Sequence, residues 1–359
     1  MSGRQFVLYF TKGLGDVALE EFREMFPTGT IIGDVESSRF FGVEIPEDVP
    51  TTAWERLRTV DDVRLLVAGP VEIRNEVEFA DLCSAAALAV NRARSRDTRS
   101  SHERWSVTLS VRNPVWRQGE TWDPAAVIAE HLKGATLDAK IRQPVDLRLQ
   151  VDEDRVHIAM NLFAQPLGKC AETPSRHGAL RPSVAASLIW LGMRGVTPQV
   201  LRDGLYDPFC GSGTIVAQAM RHGLRVFASD ISDEAVRLTR ERLARIKGAG
   251  DEADILHRVF THDVKRGFPS RVRAGVIVSN LPWGKQIKID RHQELFDAVA
   301  GFVERAIKNG GSCALLTTKE DRLIARIRRQ LHDEDAQIES RRIGLLGQTP
   351  GIVIARAKI

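Results

Sequence analysis

Short alternating hydrophobic and polar segments at the start of the chain predict a small sheet-and-helix module. The pattern predicts strand, helix, strand, strand, helix and strand, in that order, over residues 6–10, 14–26, 30–35, 39–45, 52–58 and 61–73. This is the element order of the ferredoxin-like split βαβ arrangement. We therefore predict a ferredoxin-like domain over residues 1–72.

The next pattern predicts a second small module over residues 73–165. Helices are predicted at 78–93 and 123–140, a strand at 105–112, and two strands within 145–163. Asp123 and Pro124 are typical of a helix start. A segment rich in glycine, proline and polar residues follows, and it predicts a linker over residues 166–181.

From residue 182 to residue 359, predicted helices and strands alternate. After a first helix at 182–194, strands are predicted at 204–209, 224–230, 255–263, 274–280, 312–318, 336–346 and 351–358, and most are separated by helices. Such alternation favours a mostly parallel sheet that helices cover on both faces. The last two strands predict an antiparallel hairpin at one edge. The fold class is therefore α/β in this part, preceded by two α+β modules.

Composition narrows the class of protein. The 359 residues are 43% hydrophobic and 27% charged, which is enough apolar surface for ordinary cores. No apolar run approaches the roughly 20 residues that span a bilayer, so we expect a cytoplasmic protein without membrane contact. The four cysteines and nine histidines show no paired ligand spacing, so we expect no metal site.

A net charge of +4 and a cluster of arginines raise the question of a nucleic-acid partner. Residues 92–104 contain five arginines against Asp97 and Glu103. This stretch is either a solvated loop or a patch that follows a phosphate backbone. The candidate RNA-binding residues are Arg92, Arg94, Arg96, Arg99 and Arg104.

The first predicted strand of the third part runs into "DPFCGSGT", residues 207–214, and ligands of open α/β sheets bind where strands end. The sequence is not a P-loop, because it lacks Gly-Lys-Ser/Thr. Val216 stands where a dinucleotide-binding fingerprint needs Gly or Ala. An S-adenosylmethionine site fits better, with the turn around the methionine carboxylate and Asp207 near the ammonium. A structural glycine turn is the remaining alternative.

Other polar residues follow the next strands. Asp230 ends the second strand and suits ribose hydroxyls of either a nicotinamide cofactor or S-adenosylmethionine. Asp263 follows the third strand, where it is either a helix N-cap or an acceptor for an adenine amino group. Arg181 and Ser183 open the helix before the sheet, either as a simple helix start or as contacts to cofactor or RNA.

The fourth strand ends in "NLPWG", residues 280–284, which favours chemistry on a base amine. Such an amine is a poor nucleophile, because its lone pair is delocalised into the ring. The side-chain oxygen of Asn280 and the carbonyl of Leu281 can accept its hydrogens. Pro282 stiffens the turn, and Trp283 offers a face on which an extruded base can stack. An enzyme that transfers a hydride would have no evident use for this motif.

Taken together, "DPFCGSGT", "FASDIS", "THDV" and "NLPWG" resemble the motifs of Rossmann-fold amino-methyltransferases. With "RHGALRPSVAASLIWLGMR" and "TKGLGDVALEEF", the chain is similar to the THUMP-domain tRNA guanine-N2 methyltransferase family. The resemblance implies a Rossmann-fold methyltransferase domain at 182–359, a THUMP RNA-binding domain at 73–165, and S-adenosylmethionine as cofactor. It places Asn280, Pro282 and Trp283 at the target base, and the carbonyl of Leu281 makes that residue the fourth catalytic candidate. The candidate cofactor-binding residues are Ser183, Asp207, Phe209, Cys210, Gly211, Gly213, Thr214, Asp230, Ile231, Asp263 and Val264.

We therefore predict methylation of the exocyclic N2 amine of a guanosine in the acceptor-stem region of tRNA, by a monomeric enzyme. Ribosomal RNA is the alternative substrate. A catalytically silent THUMP-type RNA-binding protein, a DNA amino-methyltransferase and a nicotinamide-dependent oxidoreductase are further alternatives. The intact glycines argue against the silent protein, and the two N-terminal modules argue against DNA. Val216 and "NLPW" argue against the oxidoreductase.

Overall fold

The structure analysed is a computed structural model. It describes residues 3–32, 39–96, 105–112, 123–132, 135–137, 145–152, 155–163, 165–167, 179–246, 252–282, 291–331, 335–345 and 347–358. By its contacts the chain divides into two compact units. The N-terminal unit comprises Met1–Tyr9, Arg23–Leu57 and Asp61–Leu167, and the C-terminal unit comprises Phe10–Phe22, Arg58–Val60 and Gly168–Ile359. No helix within the described ranges is long and apolar enough to cross a membrane.

The N-terminal unit is built on one sheet. Its strands are β1 (Arg4–Tyr9), β2 (Thr30–Ile32), β3 (Phe40–Ile45), β4 (Asp62–Glu72), β5 (Trp105–Arg112), β6 (Ala135–Leu137), β7 (Val145–Asp152) and β8 (Arg155–Asn161). They lie in the order β2-β3-β1-β4-β8-β7-β5-β6. The helices are α1 (Gly15–Met25), which continues from the C-terminal unit into this one, α2 (Glu76–Arg96) and α3 (Pro124–His131), with a 3-10 turn at Thr51–Arg56.

The element order predicted for the first module is confirmed. The neighbouring pairs β2–β3, β3–β1 and β1–β4 are all antiparallel. The buried Trp54 of the 3-10 turn packs against Phe6 and Phe26, with ring centroids 4.7 and 4.5 Å apart. β4 also pairs with β8, so a single sheet runs through both predicted N-terminal modules.

Three element predictions in this part of the chain and the next were wrong in detail. The helix predicted over 123–140 ends at His131, ahead of Gly134, and β6 pairs in parallel with β5. Asp123 does cap α3, since its side chain accepts from the Ala125 N–H. The arginine-rich stretch is not all loop, because α2 continues to Arg96.

The strand predicted over 255–263 was also wrong in part. Its first residues lie in a helix, α8 (Glu252–Arg258), and only β11 (Val259–Thr261) is a strand. Arg258 donates to Asp254 four residues earlier, a pairing that stabilises a helix turn. The apolar pattern alone could not distinguish the two structures.

The C-terminal unit is a sheet with helices on both faces. Its remaining elements are α4 (Pro182–Met193), α5 (Pro198–Asp203), β9 (Leu205–Asp207), α6 (Thr214–Arg221), β10 (Val226–Asp230), α7 (Asp233–Ala244), β12 (Val276–Asn280), α9 (Arg291–Lys308), β13 (Ser312–Thr317), α10 (Glu320–Gln330), β14 (Ala336–Arg342) and β15 (Gly351–Ala357). The strand order is β11-β10-β9-β12-β13-β15-β14. The pairs from β11 through to β13 are parallel, and β15 is antiparallel to both of its neighbours. The predicted mostly parallel sheet with an antiparallel edge hairpin is confirmed.

Alternation along the strands places one core on each face of this sheet. Val276 and Val278 of β12 point into the core that contains α4 and α6, whereas Ile277 points into the core of α9 and α10. Strands that are buried on both faces read as continuous apolar runs. This explains why these strands were predictable from sequence.

A short N-terminal segment belongs to the C-terminal unit. Residues Phe10–Phe22, which the sequence analysis placed within the first module, contribute Leu14 and Val17 to one of its two cores. Glu20 accepts from the Trp190 indole N–H at 3.1 Å and pairs with Arg194. The two compact units are defined by which residues pack together, and such units need not coincide with domains. The domain boundaries predicted from sequence therefore stay predictions.

Candidate active site

The candidate site lies where the C-terminal sheet changes direction. From β9 the chain proceeds outward to β10 and β11, then crosses back to β12 on the other side of β9. Such a switch point leaves a crevice beyond the carboxyl ends of the two central strands. Asp207 ends β9 and Asn280 ends β12, so the two main predicted residues flank this crevice.

A tight turn connects β9 to α6. The Cys210 N–H donates to the Ser229 carbonyl of β10, and the Gly213 N–H donates to the Cys210 carbonyl. Gly211 and Gly213 have φ of +55° and +77°, a region that favours glycine. A Cβ on Gly213 would lie 3.0 Å from Thr239 side-chain atoms, whereas one on Gly211 would meet nothing within 4 Å. Gly213 therefore allows close packing on α7, and Gly211 borders open space.

Asp207 is a buried carboxylate without a cationic partner among the described residues. It is 1% exposed, and burial raises its pKa to about 7. Its Oδ1 accepts from the Ser279 hydroxyl at 2.6 Å and from the Phe209 N–H at 3.1 Å. Both hydrogen bonds favour the ionised form, but they do not offset the burial. An ammonium group placed beside Asp207 would supply the missing positive charge.

Asp230 holds the other side of the turn. Its Oδ2 accepts from the Gly211 N–H and its Oδ1 accepts from the Ser232 N–H, both at 3.0 Å. Each oxygen keeps a lone pair that a hydroxyl could use. The next residue, Ile231, is an exposed apolar side chain at 70% relative exposure. A carboxylate beside an exposed isoleucine suits a ribose and its attached base.

Asp263 and Val264 follow β11 at the same edge. Asp263 caps the 3-10 turn Val264–Arg266, since its Oδ1 accepts from the Lys265 N–H at 3.0 Å. The N-cap interpretation is thus correct, and a contact of the second oxygen to an adenine amino group stays a prediction. The side chain of Val264 is buried in the core around α9.

The structure places four more predicted cofactor-binding residues: Phe209, Cys210 and Thr214 at the turn, and Ser183 in α4. The Cys210 thiol is buried beside the Thr239 hydroxyl, with 3.4 Å between sulfur and oxygen, and Phe209 packs partly against the core around α9. The Thr214 hydroxyl accepts from Arg242 at 3.0 Å. Ser183 is 1% exposed in the first turn of α4. The side chains of Cys210, Thr214 and Ser183 are therefore buried within the protein.

The residues predicted to clamp the amine lie at the end of β12 and directly after it. Asn280 pairs in register with Leu316 of β13, and the Leu281 N–H donates to the Leu316 carbonyl at 3.0 Å. The Leu281 side chain is fully buried, and Pro282 is partly buried. This anchoring fixes the Leu281 peptide, whose carbonyl accepts no hydrogen bond from any described residue.

Several predicted residues lie outside what the structure describes. Trp283, Gly284, Arg99 and Arg104 are outside the described ranges. Arg92, Arg94 and Arg96 are described only as backbone of α2. Their roles stay predictions.

Sequence reasoning missed the residues that connect the parts of the site. Ser279 and Thr239 were not predicted, yet Ser279 bonds to Asp207 and Thr239 donates to the Gly211 carbonyl at 3.0 Å. A polar residue inside the apolar strand "VIVSN" was a signal for Ser279. The sequence holds no corresponding signal for Thr239, which is one polar residue among many on α7.

The donor set fits S-adenosylmethionine. An unpaired buried carboxylate, an open glycine turn and a second carboxylate beside an apolar side chain match its ammonium, its carboxylate and its ribose with adenine, in that order. Within the described ranges, no group of three His, Cys, Asp or Glu side chains could hold a metal ion.

Comparison with known proteins decides the class of the domain. Residues 173–348 match the family model described as UPF0020, RMKL-like, methyltransferase domain. These residues form a methyltransferase domain of that family. Its methyl donor is S-adenosylmethionine, which confirms the predicted cofactor.

Solved structures match the chain over nearly its full length. TrmN from Thermus thermophilus is 21% identical, with a TM-score of 0.70 over 99% of this chain and 100% of that one. A possible methylase from Clostridium difficile 630 is 16% identical, with a TM-score of 0.68 over 99% and 98% of the two chains. SMU.472, solved in complex with SAH, is 12% identical, with a TM-score of 0.65 over 100% and 99%. At sequence identities this low, the structural similarity establishes the fold alone.

Proposed function

We propose that the protein methylates the N2 amine of a guanosine in the acceptor-stem region of tRNA. The observation that carries this proposal is the placement of Asp207 and Asn280 at the ends of neighbouring strands, connected through Ser279. Methyl donor and target amine would therefore meet at one edge of the sheet. The support for tRNA and for N2 is the resemblance of "NLPWG" and its surroundings to the tRNA guanine-N2 methyltransferases.

The chain's own residues would hold the amine for attack. S-adenosylmethionine supplies a methyl group bonded to a positively charged sulfonium sulfur, and that sulfur leaves readily as a neutral thioether. The Asn280 side-chain oxygen and the Leu281 carbonyl would each accept one amine hydrogen and orient the nitrogen lone pair toward the methyl carbon. As the new N–C bond forms and the C–S bond breaks, the nitrogen would become acidic and release its proton to water. No strong base would be needed, so positioning would supply most of the rate.

The target guanosine must leave its helix to reach this clamp, as in other base-modifying enzymes. We propose that Trp283 stacks on the extruded base, a contact worth about 1–3 kcal/mol in single-stranded recognition. Residues 73–165 would form the RNA-binding THUMP domain, with Arg92, Arg94, Arg96, Arg99 and Arg104 along the phosphate backbone. In this proposal the N-terminal unit supplies affinity, and the C-terminal unit supplies chemistry.

The test uses the full-length protein, labelled S-adenosylmethionine, and unmodified tRNA and ribosomal RNA in separate reactions. We expect label in tRNA with the wild type and none with Asn280→Ala, while both proteins bind the cofactor equally. Asn309→Ala, at the end of α9 on the protein surface, is the matched control and should keep activity. Label only in ribosomal RNA would contradict the proposed substrate, and activity in Asn280→Ala would contradict the clamp.

A further inference from the structure

Three exposed cationic residues lie along the carboxyl edge of the C-terminal sheet. Lys12, Lys319 and Arg342 come from three separate segments of the chain, and all three are exposed. Arg342 is the last residue of β14 and pairs with Gly351, which in turn pairs with Thr317 at the end of β13. We call this set the basic edge.

The backbone holds these residues together. The Gly344 N–H donates to the Lys12 carbonyl at 2.9 Å, which ties the N-terminal segment to the chain just after β14. Gly13 has φ of +90°, and a Cβ there would lie 2.4 Å from the Arg342 carbonyl oxygen. Only glycine allows this close approach. The position of Lys12 beside Arg342 is therefore fixed by the fold of this unit.

The charged groups of the basic edge keep free donors. Arg342 Nε donates to Glu320 Oε1 at 2.7 Å, and its two terminal nitrogens have no partner in the described part of the chain. Neither Lys12 nor Lys319 makes a side-chain hydrogen bond or ion pair there. Some other cations of the same unit, such as Arg237, Lys265 and Lys308, are paired with carboxylates. The nearby acids are Glu320, which Arg342 contacts, the exposed Asp321, and the exposed Asp16, which pairs with Arg341 and Arg194.

The basic edge lies near the amine clamp but not in it. β14 is three strands away from β12 in the order β12-β13-β15-β14. At about 4.8 Å per strand, Arg342 and Asn280 are separated by roughly 14 Å along the edge. A nucleotide strand with one base in the clamp can place neighbouring phosphates over that distance.

We propose that the basic edge binds backbone phosphates of the RNA beside the target guanosine. Cations with free donors at a site edge are suited to phosphate oxygens, and such contacts position a substrate without reading its sequence. This inference rests on the proposed RNA substrate. It adds an RNA contact to the C-terminal unit and gives the segment around Lys12 a role in substrate binding.

The test compares two double variants of the full-length protein with equal change of charge. Lys12→Gln/Lys319→Gln removes two charges of the basic edge and breaks no contact that the structure describes. Arg202→Gln/Arg273→Gln removes two exposed charges just ahead of β9 and β12, at the opposite edge of the sheet. Binding of unmodified tRNA is measured across salt concentrations, together with KM for tRNA and affinity for S-adenosylmethionine.

We expect the basic-edge variant to raise KM for tRNA about 3- to 20-fold and to leave cofactor affinity unchanged. The slope of log affinity against log salt should fall by about 1–2, since each lost phosphate contact removes about one. The opposite-edge variant should match the wild type, and Lys12→Arg/Lys319→Arg should restore the slope.

Two results would overturn the inference while the proposed function stands. In the first, the wild type is active and the basic-edge variant has the same affinity and KM for tRNA. In the second, both double variants weaken tRNA binding equally. A wild type that neither binds nor methylates RNA would overturn the inference together with the proposed function. Measuring the wild type first therefore distinguishes the two failures.

Discussion

The Ser279 hydroxyl donates a hydrogen bond of 2.6 Å to Oδ1 of Asp207, and both residues are at most 1% exposed. Ser279 directly precedes Asn280 on β12, and Asp207 ends the neighbouring β9. With the Phe209 N–H also donating to Oδ1, the other oxygen accepts no hydrogen bond from the described residues. Ser279 therefore orients the carboxylate and leaves one oxygen available for the ammonium that we propose Asp207 binds.

Replacing Ser279 by alanine should weaken binding of S-adenosylmethionine about tenfold at pH 7. A hydrogen bond to a charged acceptor contributes about 1.5–3 kcal/mol, and its loss raises the pKa of Asp207 further. Isothermal titration calorimetry measures the change. Ser312→Ala is the matched control, because Ser312 is also a fully buried strand serine, and its hydroxyl donates to the Gly192 carbonyl. Equal loss in both variants would show a packing effect instead.

Cofactor affinity should rise with pH through neutrality. Burial raises the pKa of Asp207 to about 7, so most molecules carry a neutral carboxyl at pH 6 and a carboxylate at pH 7.5. Since only the carboxylate attracts an ammonium, the Kd should be roughly tenfold weaker at pH 6.0 than at pH 7.5. Asp207→Asn should bind weakly at both pH values. A wild-type Kd that is flat across this window would contradict the role of Asp207.

Asp207→Asn should also stabilise the protein without cofactor. The folded pKa is raised above the unfolded value of 3.8, so ionisation favours unfolding, and stability is lost as pH rises from about 4 to about 7. The amide removes this loss. The gain in unfolding free energy should be about 2–4 kcal/mol at pH 8 and smaller at pH 5. Urea denaturation at the two pH values tests it, and an equal gain at both would contradict the assignment.

The two turn glycines should respond differently to alanine. Gly213→Ala forces a Cβ to 3.0 Å from Thr239 and adds backbone strain, so it should lower the Tm by several degrees. Gly211→Ala meets no protein atom within 4 Å, so its stability cost is the strain alone, about 1–2 kcal/mol. Its main effect should be loss of cofactor affinity, because the new methyl group would enter the open space beside Gly211, where we propose that the cofactor's carboxylate binds. Thermal denaturation measures the effect on stability, and calorimetry measures the effect on cofactor affinity. Unchanged cofactor affinity in Gly211→Ala would show that the cofactor does not bind beside Gly211.

Sequence patterns were sufficient for much of the C-terminal unit, for physical reasons. Strands β10, β12 and β13 are buried on both faces, and their apolar runs end at polar residues at one edge of the sheet. For this reason the sequence alone identified Asp230 and Asn280 as candidate site residues. Prediction from the apolar pattern failed at α8, where a short apolar run fits a helix as well as a strand.

Other features depend on packing that no local pattern encodes. The amphipathic pattern of α1 shows that one face is buried, but not that Leu14 and Val17 pack in the C-terminal unit. The pairing of Ser279 with Asp207 depends on which strands are neighbours. The basic edge needs three segments to meet at one end of a sheet. The cytoplasmic location, the monomeric state and the RNA contacts of the five arginines stay predictions.

The proposed function stands or falls with the identity of the methylated nucleoside. The most direct measurement is transfer of labelled methyl from S-adenosylmethionine to unmodified bulk tRNA, followed by digestion to nucleosides and mass spectrometry. We predict label in N2-methylguanosine, and none when Asn280 is alanine. Label in a methylated adenosine or cytidine, or in a guanosine methylated at a ring nitrogen, would contradict it.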